Sequence, residues 1–263
     1  MIAPSLTTVG LLLALLAPPA VANGCPSQLR IGVVDYELRP LVLAGGRGVA
    51  PQGRLIDWVR QAVSRSGCSP TLSFERMPIR RGRVELERGS IDIWAVALVD
   101  GSLHEQGALP MARGQSDAML GFYRASYSLY VLTGETRVSW DGDILSGPAE
   151  FSVGIAPVQA LAEVSRDKGW TVDRAPDTPG ALAKLLSGRH LVAILPDPAI
   201  AAQLPEVTQK LRRLSPPVLT TWYHSPASKP FAAHYPDFMH SYWLELCRIG
   251  RAEQREGLPC REP

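Results

Sequence analysis

The strongest constraint on this chain is a pattern that occurs twice. An apolar strand, an amphipathic helix, a second strand and a second helix lead into a β-rich apolar run, GSIDIWAVAL (89–98) in the first copy and GRHLVAILPD (188–197) in the second. In each copy the second helix ends in glycine, Gly89 or Gly188, which is the punctuation expected where a helix feeds a buried parallel strand. The pattern predicts an α/β chain of two lobes, each a mostly parallel sheet flanked by helices. Lobes of this kind set strand ends and helix N-termini face to face across a cleft, where a small ligand can be enclosed.

The first copy opens with a strand over Leu29–Val34 and a helix over Gln52–Cys68, where Leu55, Trp58 or Val59, Ala62 and Val63 recur at helical spacing with arginines opposite. A strand over Thr71–Phe74, a short helix over Arg80–Arg88 and a single strand over Ile91–Leu98 complete it. Residues 100–117 show no period and are expected to be loop with one short helical turn. The aromatic, β-prone run Gly121–Thr133 leaves the first lobe, and the second copy spans strands and helices from Phe151 to Leu195. Asp197-Pro198 opens another helix. Val218–His224 reads as a strand returning to the first lobe, and Tyr235-Pro236-Asp237 starts a last helix over Phe238–Ile249. The repeat is one of architecture, not of sequence.

Residues 1–22 hold no charged side chain and an apolar run, Val9–Ala17, too short to span a bilayer. With Ala20-Val21-Ala22 before Asn23, they read as a cleaved secretory signal, although no Lys or Arg precedes the apolar run. A lipoprotein reading of Cys25 is the weaker alternative. The formal net charge is +2. Its longest basic runs, 79–83 and 210–213, read as solvated faces, so nothing here marks a nucleic-acid partner. The four cysteines, Cys25, Cys68, Cys247 and Cys260, form no C-x-x-C pair, which favours disulfides over a metal site. The first strand starts just after Cys25, and the helix returning antiparallel to it ends just before Cys68. Both therefore lie at one end of the sheet, which favours Cys25–Cys68 and leaves Cys247–Cys260 to pair locally. Asp141-Gly-Asp143 lacks the Glu of a calcium loop and reads as a turn. Gly114–Ala118 lacks the second glycine of a nucleophile elbow.

Five segments, LRIGVVDYELRPL…PQGRLIDWVRQAVSRSGC, ERGSIDIWAVAL, FYRASYSLYVLTGE and SKPFAAHYPDFMHSYWLELCRIG in that order, resemble the successive signatures of the bacterial solute-binding proteins of family 3. These periplasmic binding proteins deliver polar amino acids and similar solutes to ABC transporters. The resemblance covers nearly the whole chain after residue 22. It implies the type II binding-protein architecture, two lobes joined by two crossover strands near 121–133 and 214–224, with lobe 1 formed by 23–123 and 217–263 and lobe 2 by 124–216. It further implies a periplasmic monomer, with no cofactor or metal, that takes a small-molecule ligand and meets an ABC permease or another periplasmic partner.

The sequence departs from the pattern where amino-acid ligands are held. The Arg that would fork onto an α-carboxylate is absent from Gly101–Gly107, the hydroxyl residue expected within Ala156–Ala160 is missing, and Leu41 stands where an aromatic often follows the first-loop proline. The candidate ligand residues are Asp35 and Tyr36 at the carboxyl end of the first strand, Arg80 ahead of the second helix, Trp94 as an aromatic wall, Arg124 on a crossover strand, and Asp197. In the family the last of these commonly holds the ligand's amino group. The leading expectation is solute binding without chemistry. The alternatives are an accessory protein that docks a periplasmic enzyme or sensor, and a dehydratase-like enzyme using Asp35, Glu37 or Asp197. A ligand with an aromatic or cationic part, held by Tyr36, Trp94 and Asp197, is expected over an ordinary amino acid.

Overall fold

The computed structural model describes residues 24–45, 48–99, 103–112, 115–116 and 118–260. The expected signal segment and part of the Gly114–Ala118 stretch lie outside the described residues. The first lobe begins with β1 (Gln28–Val34), α1 (Arg54–Arg65), β2 (Thr71–Met77), α2 (Ile79–Glu87) and β3 (Ile93–Trp94). β1 is central, parallel to β2 with Ile31 opposite Phe74 and parallel to β3 with Ile31 opposite Ile93. Leu29, Ile31, Val33 and Val34 are buried, as befits a central parallel strand, and α1 turns Leu55, Val59, Ala62 and Val63 inward. Asp92 is buried against Arg30, whose guanidinium donates to it at 2.6 and 3.1 Å and whose backbone N–H donates at 2.7 Å, tying β1 to the start of β3.

The single strand expected over Ile91–Leu98 is two. Ala95 makes a last hydrogen bond to the Gly32 carbonyl at 2.9 Å, after which β4 (Ala97–Leu98) leaves the first sheet and pairs with another. The aperiodic stretch holds the short helix α3 (Leu103–Gln106) and the hairpin β5 (Met111–Ala112) and β6 (Gln115–Ser116).

β7 (Tyr123–Leu132) carries the chain across. The hairpin β8 (Ser139–Trp140) and β9 (Leu145–Ser146) precedes the second βαβαβ unit: β10 (Val153–Ile155), α4 (Gln159–Asp167), β11 (Val172–Arg174), α5 (Thr178–Leu186) and β12 (Val192–Pro196). Asp141 makes the turn of the hairpin, its Oδ1 accepting from the N–H groups of Asp143 and Ile144 at 2.8 and 2.7 Å. Two short helices, α6 (Asp197–Ala201) and α7 (Pro205–Thr208), lead to β13 (Leu211–Arg213). β14 (Leu219–His224) then returns, followed by α8 (Lys229–His234) and α9 (Pro236–Gln254), which packs along α1.

β10, β11 and β12 are parallel, but the sheet does not stop there. β12 pairs antiparallel with β7, β7 with β14, and β14 with β4, giving the order β11-β10-β12-β7-β14-β4. The two crossing strands are therefore one hydrogen-bonded ribbon, with Tyr123 opposite Tyr223 and Tyr127 opposite Leu219, continuous with the second lobe's sheet and ending on the first lobe.

Both expected disulfides are present, Cys25–Cys68 with Cα atoms 5.4 Å apart and Cys247–Cys260 at 6.1 Å. The first ties the entry of β1 to the exit of α1, and the second ties α9 to the tail. Among the described residues no helix is long and apolar enough to cross a membrane.

Candidate functional site

The strand-end rule that singled out Asp35 and Tyr36 operates in both lobes. β1 ends at Val34 and delivers Asp35-Tyr36, while β11 ends at Arg174 and delivers Ala175-Pro176-Asp177. Two contiguous cavities lie between these ends. The inner one, of ≈ 50 Å³, is walled by Tyr36, Ile79 and Trp94 of the first lobe, by Tyr127 and Tyr223 of the ribbon, and by Pro157 and Thr178 of the second lobe. The outer one, of ≈ 390 Å³, shares Tyr36, Ile79 and Pro157 with it and opens between Asp35 and Arg80 on one side and Arg174 and Asp177 on the other.

The inner wall is largely aromatic, and Arg83 is the charged side chain that lines it. Tyr127 and Tyr223 share a hydroxyl–hydroxyl hydrogen bond of 2.7 Å, and Tyr223 stacks on Tyr123 with ring centroids 5.9 Å apart. Burial pushes the phenols of Tyr36, Tyr127 and Tyr223 above their ordinary value, and at Tyr36 the neighbouring Tyr223, Asp177 and Asp35 push the same way. All three stay protonated through the physiological range and offer hydroxyl dipoles and ring faces instead of charge.

Trp94 is 2% exposed, and its place depends on two glycines. A Cβ on Gly32 would lie 2.6 Å from its Cε3, and one on Gly82 would strike the same ring from α2. The indole thus lies flat between β1 and α2 and reaches the inner cavity, as both a core residue and a wall.

The outer cavity is charged. Asp177 caps α5, its Oδ1 accepting from the Gly180 N–H at 2.6 Å, so that carboxylate has a structural commitment. Arg80 and Arg174 are exposed and make no side-chain hydrogen bond or ion pair among the described residues. Arg83 also reaches the inner cavity from α2 and already interacts with another group of the protein.

Of the six sequence candidates, Asp35, Tyr36, Arg80 and Trp94 come together at these cavities; Arg124 and Asp197 do not line either. Arg124 is an exposed residue of β7 whose backbone N–H donates to Gln254 at 2.8 Å, with its guanidinium 3.8 Å from Glu256, so it meets the end of α9. The Asp197 carboxylate is taken up within its own neighbourhood. Oδ2 accepts from Ser128 Oγ at 3.1 Å and Arg213 Nη1 at 2.9 Å, and Oδ1 accepts from the Tyr130 hydroxyl at 3.0 Å. Ser128 and Tyr130 alternate with Tyr127 along β7, which puts Asp197 on the face of the ribbon opposite the inner cavity.

Sequence reasoning missed Tyr127, Tyr223, Arg174, Asp177 and Thr178. Two signals pointed to them: the i, i+4 spacing of Tyr123 and Tyr127 on a crossover strand, and the strand-end rule applied to the second lobe as well as the first. No cluster of three metal-ligating side chains occurs among the described residues.

No protein-family model matches the chain, and no curated protein matches it. Solved structures do. An arginine-bound mutant of the arginine-binding protein of T. maritima superposes with a TM-score of 0.64 at 17% identity, over 85% of this chain and 96% of that one. A histidine kinase sensor domain described as similar to periplasmic binding proteins gives 0.65 at 15% identity, over 90% and 99%. The GluR0 ligand-binding core in complex with L-glutamate gives 0.62 at 15% identity, over 89% and 100%. The chain has the two-lobed fold of the periplasmic binding proteins.

Proposed function

We propose that this chain, built on the two-lobed binding-protein fold, captures a small solute between its lobes without chemistry and passes it to an ABC transporter. The observation that carries the reading is the pair of contiguous cavities, to which both lobes and the crossing ribbon contribute walls. The solved neighbours that hold arginine or glutamate support ligand capture, and the two disulfides fit an oxidising compartment such as the periplasm. We take the lobes to divide near 123/124 and 216/217, next to the paired crossing strands.

Ligand that binds only the closed form raises the melting temperature by mass action and compacts the molecule. A thermal-shift screen over amino acids, polyamines, organic acids and sulfonates tests this, with small-angle scattering on any hit. The expected result is a raised midpoint and a smaller radius of gyration with at least one class. A midpoint unmoved by the whole panel contradicts the reading.

The likeness to a sensor domain favours a second reading, in which closure over ligand is reported to a partner protein and no solute is handed on. Pull-down with and without the hit separates the two: a permease partner supports transport, a kinase or periplasmic enzyme supports signalling or an accessory role.

A further inference from the structure

The inner cavity has room for a few waters, or for one edge of a ring or a short alkyl end. Its walls are Trp94 and three phenols held neutral by burial, with Ile79 and Val96 beside them; Arg83 lines it too but is already engaged by another group of the protein. An ionic group pushed into that wall would lose its hydration for little return. The deep end of a ligand is therefore its uncharged end.

The outer cavity sets the sign of the other end. Arg80 reaches it from the first lobe and Arg174 from the second, both without a side-chain hydrogen bond or ion pair among the described residues. Against them stand Asp35 and Asp177, and the latter is committed to the cap of α5. Two guanidiniums face two carboxylates, of which Asp177 has one oxygen held by the α5 cap, and guanidinium presents a planar fork that fits carboxylate, phosphonate or sulfonate oxygens. An ammonium group is left with the exposed Asp35 and the second oxygen of Asp177, because Asp197 is already paired with Arg213 on the far face of the ribbon.

We infer that the ligand is an organic anion with a compact apolar body, seated with its uncharged end against Trp94 and its anionic group between Arg80 and Arg174. This rests on the solute-binding reading above; of the aromatic or cationic ligand that the sequence suggested, it keeps the aromatic part and reverses the cationic one. Because the two arginines belong to different lobes, the anion also supplies the charge that lets them approach when the cleft closes.

The test uses three probes that share a ring and chain length: 3-phenylpropanoate, L-phenylalanine and 2-phenylethylamine, titrated calorimetrically into the protein. The expected result is binding of 3-phenylpropanoate at least tenfold tighter than the other two, weakening with added salt. Arg80→Gln and Arg174→Gln should each weaken it about tenfold, with the unfolding midpoint of the ligand-free protein unmoved. Equal or tighter binding of the amine or the amino acid, or indifference to both arginine variants, overturns the ligand class and leaves solute binding intact. The same holds if all three probes fail while an amino acid or polyamine of the screening panel binds. If nothing in the panel binds, the solute-binding reading itself falls.

Discussion

Tyr127 and Tyr223 lie 96 residues apart in sequence, on opposite strands of the crossing ribbon, and their hydroxyls meet at 2.7 Å beside the inner cavity. Each is the other's partner in a buried setting, so the two hydroxyls stand or fall together. Tyr127→Phe should cost about 1–3 kcal/mol, because it strands a buried hydroxyl on Tyr223. The double change to Phe should cost less than the sum of the single ones, since no unpaired group remains. Urea unfolding of the four members of the cycle measures this. Additive costs would mean that the contact contributes nothing.

Asp197 is expected to act in folding of the second lobe and not in ligand recognition. Its carboxylate accepts three hydrogen bonds, and Asp197→Ala abandons Ser128, Tyr130 and Arg213 at once. With Arg213 47% exposed the ion pair itself is screened, so a loss of about 1–3 kcal/mol is expected, mostly from the two hydroxyls. Calorimetric titration of a confirmed ligand against this variant should return an unchanged Kd. A tenfold loss of affinity in a protein that still folds would return Asp197 to the ligand site.

The elements that the sequence disclosed are those whose side chains carry a period. α1, with apolar positions three and four apart, and β1, with its apolar run Ile31–Val34, stand within a few residues of where the pattern puts them. The run Ile91–Leu98 was legible as β-prone, but its division between two sheets was not. Local preference is uniform across it, whereas the break is made by partners distant in sequence, Gly32 on one side and Tyr223 on the other. The site followed the same rule. Residues at strand ends, Asp35 and Tyr36, were accessible to a topological argument. The fate of Asp197 was decided by Arg213, sixteen residues on, and by the face of β7 that Ser128 and Tyr130 occupy, which no local pattern announces.

His190 gives the protein an acid-sensitive point remote from the cleft. Its ring is buried beside Gly154, with Asp173 at 3.6 Å and Lys184, itself bound to Asp173 at 3.1 Å, as the charged neighbours. Burial lowers its pKa; Asp173 opposes the shift and Lys184 adds to it. A His with a depressed folded value holds fewer protons folded than unfolded. Stability is therefore full above the unfolded value of about 6.5 and falls as pH drops through it, until the folded form also protonates. Melting curves at pH 7.5 and 5.5 should show a larger acid loss for the natural protein than for His190→Leu. Equal losses would place the acid sensitivity elsewhere.

The two disulfides differ in the span they close, 43 residues for Cys25–Cys68 and 13 for Cys247–Cys260. Loop-closure entropy makes the first worth about 4 kcal/mol and the second about 3 kcal/mol. Protein recovered from an oxidising compartment should weigh four hydrogens less than the reduced chain, and peptide mapping should return these two pairs. Replacing Cys25 and Cys68 together by Ser should lower the unfolding free energy more than replacing Cys247 and Cys260. The reverse order would point to residual structure in the unfolded chain near the first pair.

Gly82 stands on the first lobe's second helix, where alanine would ordinarily be the better residue by about 1 kcal/mol. Here the added methyl would lie 2.2–2.6 Å from three atoms of the Trp94 ring, which also packs against Gly32, so the indole would have to shift. Overpacking of a buried aromatic costs about 1–3 kcal/mol, so the clash should outweigh the helical gain and Gly82→Ala should destabilise. The contact also predicts a sign change. In a Trp94→Leu background the ring is gone, the methyl fills part of the space it leaves, and Gly82→Ala should be neutral or stabilising. Thermal unfolding of the four variants decides it. If Gly82→Ala costs the same in both backgrounds, Trp94 is not what keeps this position a glycine, and the indole does not owe its place at the cavity wall to α2.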